Sequence, residues 1–420
     1  MKKIPVRFLL VFTTFSLTIL LYIDRVGISA AKEAIGEDLD LSDTQMGWVM
    51  SAFALGYALF QIPSGMMADK AGPRKAIALI VTIWSGFTLL TGVAWNFISM
   101  IVIRFFFGAG EAGAFPSISR ANFTWIPLRE RGIVTGINFS GSRLGAAFAF
   151  PLVTWMISTF GWRPGFYIMG ILGLLWALIW YKWFRNKPED HPSVSEEEKR
   201  YILDTRQTPE KKGSELSLSR QLRSGNIWLA MAQYFGSNFI FFFCLTWMFP
   251  YLTERYNISV AEASIYSMFP LIAGAFGNWF SGGLVDWIFK QGKWKWSRSI
   301  PAMVGFILVG IGILIVLSSQ EVIWAVVGLS IAVFGADMTL SPSWSFCVDI
   351  GKNNAGAVSG TMNMAGNIGS FITGIAFPYL VLWTGTSDTF FIIAGVLVIL
   401  SILAWVFMDP SKQLVAYEKV

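Results

Sequence analysis

Long apolar runs separated by short polar connectors organise this chain. Stretches of about 20 mostly apolar residues, the length of a helix that crosses the hydrocarbon of a bilayer, fall near 6–31, 44–68, 76–93, 97–118, 132–157, 165–184, 226–251, 262–285, 300–318, 322–346, 355–382 and 388–408. They are too long for barrel strands and lack the alternation such strands need. An all-α membrane protein with 12 transmembrane helices is predicted. One long polar stretch, 185–225, divides the spans into two six-helix halves, 1–184 and 226–420. Its charges are mixed, so it reads as a solvated cytoplasmic linker carrying a short amphipathic helix. The first run superficially resembles a signal peptide, but Asp24-Arg25 stands where a cleavage site needs small residues, so a retained span is expected.

Composition agrees. Of 420 residues 54% are hydrophobic and only 14% charged, against about 25% charged in soluble domains. Cys244 and Cys347 both lie in apolar runs, which excludes a secreted disulfide scaffold. His191 is the only histidine, so neither a zinc site nor any other metal or cofactor is expected. With the N-terminus inside, the inner connectors hold 26 of the 32 Lys and Arg residues, counting Arg7 and Lys182 as span ends. The outer connectors hold only Lys32, Arg163 and Arg255. This bias places both termini in the cytoplasm. It also accounts for most of the net charge of +6, which gives no reason to invoke nucleic acid. Short loops suggest a bacterial inner (plasma) membrane, with a monomer as the default state.

The two halves repeat each other. Ser64-Gly65-Met66-Met67-Ala68-Asp69 ends span two, and Ser281-Gly282-Gly283-Leu284-Val285-Asp286 ends span eight. Glu111 in span four is followed by Pro116-Ser117, and Asp337 in span ten by Pro342-Ser343 at the same spacing. Gly132-x3-Gly136 in span five matches Gly356-x3-Gly360 in span eleven, a register that sets Arg143 opposite Asn367. Such duplication is the architecture of transporters whose site lies near the midplane between repeats.

At these residues the chain resembles a known family. Gly65-x3-Asp69-Lys70-x-Gly72-Pro73-Arg74-Lys75 is similar to the loop 2–3 signature of the major facilitator superfamily, with a weaker copy at Gly282-x3-Asp286. Tyr22-Ile23-Asp24-Arg25 and the run from Arg104 to Gly113 resemble the anion:cation symporters within it. Those include bacterial hexuronate and aldonate carriers, the vesicular glutamate carriers and sialin. The likeness covers nearly the whole chain and is weakest in 185–225.

Six ionisable residues lie within the expected spans: Asp24, Arg25, Arg104, Glu111, Arg143 and Asp337. Such groups are costly facing lipid and usually mark substrate or ion pathways. Arg104 and Glu111, seven apart, share a helix face. These charges could simply pin helices together. Functionally, a guanidinium offers a permanently charged planar fork for a carboxylate, whereas carboxylates exchange protons when burial disfavours their charged form. A carrier driving a monovalent anion into a negative-inside cell needs more than one co-transported cation, and two buried carboxylates would supply that.

The resemblance implies the same division. Arg25 would bind the substrate carboxylate, Asp24 and Glu111 would carry protons, Arg104 would tune Glu111, and Tyr57 would contact substrate. Met50 stands where the vesicular glutamate carriers have a histidine. Arg143 departs from the pattern, since many sugar-acid carriers have an uncharged residue near this point. It would either meet a second anionic group, as in an aldarate, or pair with Asp337. Asn238, Ser341, Ser343, Ser345, Asn363 and Asn367 could serve substrate hydroxyls, and Tyr57, Tyr234 and Trp344 could form stacking walls; helix packing is the plain alternative for each. Trp344 matches a substrate-site tryptophan of the family. Asp69 and Arg74, with Asp286, would latch the cytoplasmic side. Gly108-x-Gly110-x2-Gly113 has no preceding strand and is read as helix packing, not a dinucleotide site. Asn122-Phe123-Thr124 and Asn257-Ile258-Ser259 are discounted as glycosylation sites.

The expected activity is import of a sugar-acid anion (hexuronate, aldonate or aldarate) with protons, by alternating access in the lipid bilayer. Exchange or facilitated passage of another organic anion, binding without net transport, and sodium coupling are the alternatives. No nucleotide-binding loop or nucleophile–base pair supports an enzyme or a primary pump.

Overall fold

The computed structural model describes residues 4–127, 130–206, 218–351 and 355–414; at 62, 65, 66, 68–70, 131, 132, 135 and 355 only the backbone is described. The described residues form helices joined by short turns. In the first unit, Met1–Glu210, these are α1 (Val6–Ala30), α2 (Lys32–Leu39), α3 (Asp43–Thr91), α4 (Phe97–Glu111), α5 (Ala114–Trp125), α6 (Arg131–Phe160), α7 (Trp162–Trp183) and α8 (Glu196–Thr205). In the second, Lys211–Val420, they are α9 (Leu218–Gln221), α10 (Gly225–Thr246), α11 (Met248–Tyr256), α12 (Val260–Tyr266), α13 (Met268–Lys290), α14 (Trp294–Ser318), α15 (Val322–Met338), α16 (Leu340–Gly351), α17 (Ala355–Thr384) and α18 (Asp388–Phe407).

Among the described residues, eleven helical stretches are long and apolar enough to cross a membrane. Each overlaps one of the expected spans. The remaining one, 44–68, falls on the N-terminal arm of α3, which is not among the eleven. This arm begins at a capping box, where Ser42 and Gln45 satisfy each other's backbone N–H groups. It is separated from the next arm at Gly72, whose φ of 74° only glycine adopts without strain.

Four expected spans are interrupted, at Ala112–Gly113, Trp247, Ser267 and Thr339. The cause is the same each time. A proline removes one helical N–H and its ring presses on the carbonyl four residues earlier, and Pro116, Pro250, Pro270 and Pro342 stand three or four positions beyond these breaks. One freed carbonyl finds a new partner: Ser281 Oγ donates to the Met338 oxygen at 2.5 Å. Glu111 and Asp337, matched by the repeat, therefore both sit at the end of a helical segment.

Packing repeats as well. In the first unit α1 lies on α6, and α3 on α4 and α7; in the second α10 lies on α17, α13 on α15, and α14 on α18. Close approach depends on glycine. A Cβ at Gly56 would strike the Phe105 carbonyl oxygen, and one at Gly108 the Phe53 carbonyl oxygen. In the second unit Gly277 meets the Phe334 carbonyl in the same way. Gly110 and Gly113 pack on Ile83 and Ile80, so the glycines of the GxGxxG run do serve helix packing.

The polar stretch after α7 is less solvated than expected. His191 is buried edge-on against Trp125 and Trp183, and Glu198 and Ile202 of α8 are buried. Glu198 caps α1 from almost 200 residues away: Val6 N donates to Oε2 and Arg7 N to Oε1, each at 3.0 Å. Arg7 also reaches Glu130 at 3.2 Å, and Tyr201 Oη donates to the same carboxylate at 2.9 Å. Lys211-Lys212, in the middle of this stretch, lie outside the described residues. Glu198→Ala strands two N–H groups at a helix start, so its unfolding midpoint is expected to fall by roughly 5 °C. Glu198→Gln, which keeps one acceptor, should lose less. Equal melting of all three proteins would show that the cap contributes nothing.

Candidate functional site

Four of the six expected intramembrane charges come together in the first unit. Arg25 of α1 and Glu111 of α4 form an ion pair, Nε to Oε1, at 2.6 Å, with the Glu111 side chain wholly buried. Three aromatic faces surround the guanidinium: Tyr22 at 4.8 Å, Phe53 at 5.1 Å and Tyr57 at 4.8 Å from Cζ to ring centroid. Arg104 lies over Phe107 at 4.6 Å and over the same Phe53 at 5.5 Å. Phe53 thus stands between two cations, and its own ring packs on Tyr57 and Phe107. Asp24 is buried beside the Trp84 indole, within electrostatic reach of Glu111 and Arg104.

The helix geometry explains the assembly. Asp24 and Arg25 are adjacent, so on α1 they diverge by about 100°. Arg25 faces the aromatic side chains of α3, while Asp24 faces Trp84 in the second arm of the same helix. Phe53 and Tyr57 are four apart and therefore share a face. The Gly56–Gly108 crossing brings that face against α4, where Arg104, Phe107 and Glu111 follow at the same helical spacing.

Within the described residues, buried Arg25 Nη2, Glu111 Oε2 and Arg104 Nε make no hydrogen bond. Leaving such a group unmatched costs about 1–3 kcal/mol, more when it is charged. The cluster therefore holds an ion pair with binding capacity left on both partners. It can take up an anionic group on the arginine side and a proton on the carboxylate side.

Arg143 is buried in α6 and Asp337 in α15, the latter against Gly274 of α13. In the second unit the expected hydroxyl partners divide by environment. Ser343 is fully buried, its Oγ 2.6 Å from the Thr339 carbonyl oxygen and 3.2 Å from Gln233 Oε1, a packing position between α10 and α16. Gln233 also accepts from the Trp405 indole at 3.3 Å. Trp344 is partly exposed, and its Nε1 donates to Tyr234 Oη at 3.3 Å. Asn238 donates to the Tyr234 carbonyl at 2.9 Å and Asn367 to the Asn363 carbonyl at 2.9 Å, and among the described residues neither side-chain amide oxygen makes a hydrogen bond. Of the expected latch, Arg74 is held against the end of α7: its Nε donates to the Tyr181 carbonyl and its N to Asn186 Oδ1, both at 2.9 Å. Asp286 is exposed near the end of α13, and the Asp69 side chain lies outside the described residues.

Sequence reasoning missed Tyr22, Phe53, Phe107 and Trp84 as parts of the charged cluster, and Gln233 as the hub of α10. The four-residue spacing of Phe53 and Tyr57 is visible, but aromatic residues at that spacing occur throughout this chain.

Known proteins give the family. The model of the Major Facilitator Superfamily matches residues 14–374. A probable sulfoacetate transporter of Cupriavidus necator is 33% identical over 97% of this chain and 95% of its own length. The hexuronate transporter of Bacillus subtilis is 30% identical over 96% and 93%, and a probable galactarate/D-glucarate transporter of the same species 32% identical over 99% and 94%. These relatives are transporters, not enzymes. In fold, a bacterial homologue of the human lysosomal transporter Spinster, crystallised in an inward-facing, occupied conformation, matches with a TM-score of 0.73 at 21% identity over 97% of each chain. A helical fold rich in membrane-spanning segments, a match over most of the chain and full-length relatives lead to one conclusion: this chain belongs to the Major Facilitator Superfamily.

Proposed function

We propose that the protein is a proton-coupled symporter that imports a sugar-acid anion (a hexuronate, aldonate or aldarate) into a bacterium. The observation that carries this reading is the buried Arg25–Glu111 pair with its unmatched Nη2 and Oε2. Protonating Glu111 weakens its hold on the guanidinium, and the freed arginine can then grip a substrate carboxylate. Asp24 supplies a second proton-carrying site, so a monovalent anion enters with net positive charge. The hexuronate and galactarate/D-glucarate relatives support a sugar-acid substrate.

The proposed architecture is twelve spans in two pseudo-symmetric halves, 1–184 and 226–420, joined by 185–225 and rocking about a midplane site. Both termini face the cytoplasm across the inner membrane, and the monomer is the working unit. Asn238, Trp344, Asn363 and Asn367 would serve the sugar hydroxyls and ring, with Ser343 behind them. Arg143 would take a second anionic group or pair with Asp337. Asp69, Arg74 and Asp286 would latch the cytoplasmic side during transport.

A second substrate reading has specific support. The 33% identical relative is named for sulfoacetate, a small dianion, and the extra cation Arg143 suits a dianion as well as an aldarate. Liposome uptake of glucuronate, galactonate, glucarate and sulfoacetate, by wild type and Glu111→Gln, separates these cases. Wild type is expected to concentrate a sugar acid, while Glu111→Gln exchanges it across the membrane without net accumulation. Concentrative transport of sulfoacetate alone would replace the sugar acid with a sulfonate, and full accumulation by Glu111→Gln would remove Glu111 from proton coupling.

A further inference from the structure

The turn between α13 and α14 has an unusual make-up for a connector of its length. Residues 286–299 carry Lys290, Lys293, Lys295 and Arg298 against one acid, Asp286, and include Trp287, Phe289, Trp294 and Trp296. The two kinds of residue have different fates. Arg298 is braced inward: its Nε donates to Asp349 Oδ2 at 2.8 Å, the Trp294 indole donates to the same oxygen at 3.0 Å, and the guanidinium lies over Phe289 at 5.4 Å. The three lysines are exposed and stand outside that ion pair. Trp287 and Trp296 are exposed, at 60% and 50%, on either side of them.

Helix formation does not account for this arrangement. Lys290 ends α13, where a cation is favourable, but Lys293 and Lys295 stand at the start of α14, where the helix dipole disfavours positive charge. No acidic residue lies in that first turn. Asp409, within electrostatic reach of Lys295, is the nearby compensation from outside the turn. Aromatic rings that remain in contact with solvent or lipid at the end of a membrane span belong at the headgroup level. Lysines beside them reach the phosphates of an anionic leaflet with their ammonium groups while their stems stay against the apolar surface.

We propose that this turn is a binding surface for the headgroups of anionic phospholipids in the cytoplasmic leaflet. Lys290, Lys293 and Lys295 pair with the phosphodiesters, and Trp287 and Trp296 anchor at the acyl boundary. The Arg298–Asp349 bridge holds the turn rigid, so the lysines present a fixed pattern of charge rather than a flexible tail. The proposal uses the inside orientation of this turn given under Proposed function, but not the substrate or the coupling.

The test reads lipid binding directly, on the full-length protein in a neutral detergent. Phosphatidylglycerol, phosphatidylcholine or inorganic phosphate is titrated while thermal unfolding and lipid retention by native mass spectrometry are followed. Wild type should bind phosphatidylglycerol well above phosphatidylcholine, and each lysine-to-glutamine change should cost about fivefold in that preference. Lys290→Gln/Lys293→Gln/Lys295→Gln should abolish most of it, whereas Lys182→Gln/Lys187→Gln/Lys199→Gln, with the same charge removed elsewhere, should not. Should the triple variant fail to fold, single Lys293→Gln still carries the fivefold expectation. Equal losses in the two triple variants would overturn the proposal, as would stabilisation by inorganic phosphate equal to that by the lipid. Lipid preference without any transport of the substrates tested above would leave this surface standing and reject the proposed substrate class.

Discussion

Arg25→Lys is expected to fold, reach the membrane and lose uptake by about 10- to 100-fold, although it keeps the charge. Three properties of this position require the guanidinium. Its planar group lies against three aromatic faces at once, from Tyr22, Phe53 and Tyr57, an arrangement that a compact ammonium cannot reproduce. Its Nε holds Glu111 at 2.6 Å while Nη2 stays unmatched, so one side chain can address two carboxylates. A lysine's compact ammonium has no planar fork to hold both carboxylates in this geometry. Losing a charge-assisted bond at a buried site costs about 1.5–3 kcal/mol, and each 1.4 kcal/mol is a factor of ten. Arg25→Ala should be worse, since it leaves Glu111 buried without its partner, a loss of about 3–5 kcal/mol. Uptake by reconstituted variants, alongside their unfolding midpoints, measures both effects. Half-maximal uptake within threefold of wild type in Arg25→Lys would remove Arg25 from substrate binding.

Gly108→Ala is expected to be among the most damaging single-methyl substitutions in the chain. Its new Cβ would run into the Phe53 carbonyl oxygen, and neither helix backbone can yield locally without losing its own hydrogen bonds. Gly56 meets the Phe105 carbonyl in return, so the contact is reciprocal. Overpacking of this kind costs about 1–3 kcal/mol even where side chains can move. Here α3 must move off α4, which also draws Phe53 and Tyr57 away from Arg25 and ties stability to function. Gly86→Ala is the control. No atom lies within 4 Å of its added Cβ, and alanine is the better helix former by about 0.8–1.0 kcal/mol. Membrane yield and thermal unfolding should therefore fall for Gly108→Ala and hold or rise for Gly86→Ala. The same melting temperature for both would mean that the crossing tolerates separation.

Much of this was readable from the residues. Apolar run length located the helices, and the rarity of charge within them singled out Asp24, Arg25, Arg104 and Glu111 before any coordinates. Pairing was harder to read. Spacing on one helix linked Arg104 to Glu111, but in the structure the hydrogen-bonded partner of Glu111 is Arg25, 86 positions away on α1. Periodicity within a helix carries no information about which face of another helix it meets. The four helix interruptions were not expected: Pro116, Pro250, Pro270 and Pro342 stand just beyond them, yet Pro151 and Pro378 lie within unbroken helices. A proline alone therefore does not decide between a bend and a break. The polar stretch after span six misled through its composition: Glu198 reads as a solvated charge, but it is buried because the uncapped start of α1 needs an acceptor.

The most direct test of proton-coupled import is accumulation against a gradient by purified protein in liposomes. An inward proton gradient, with the membrane potential clamped or set negative inside, is imposed on vesicles supplied with labelled sugar acid. Uptake should rise well above the outside concentration, carry protons inward with the substrate, and grow when the negative potential is added, because more than one proton accompanies each monovalent anion. Accumulation that ignores the proton gradient, follows sodium instead, or merely equalises the two sides would contradict the account.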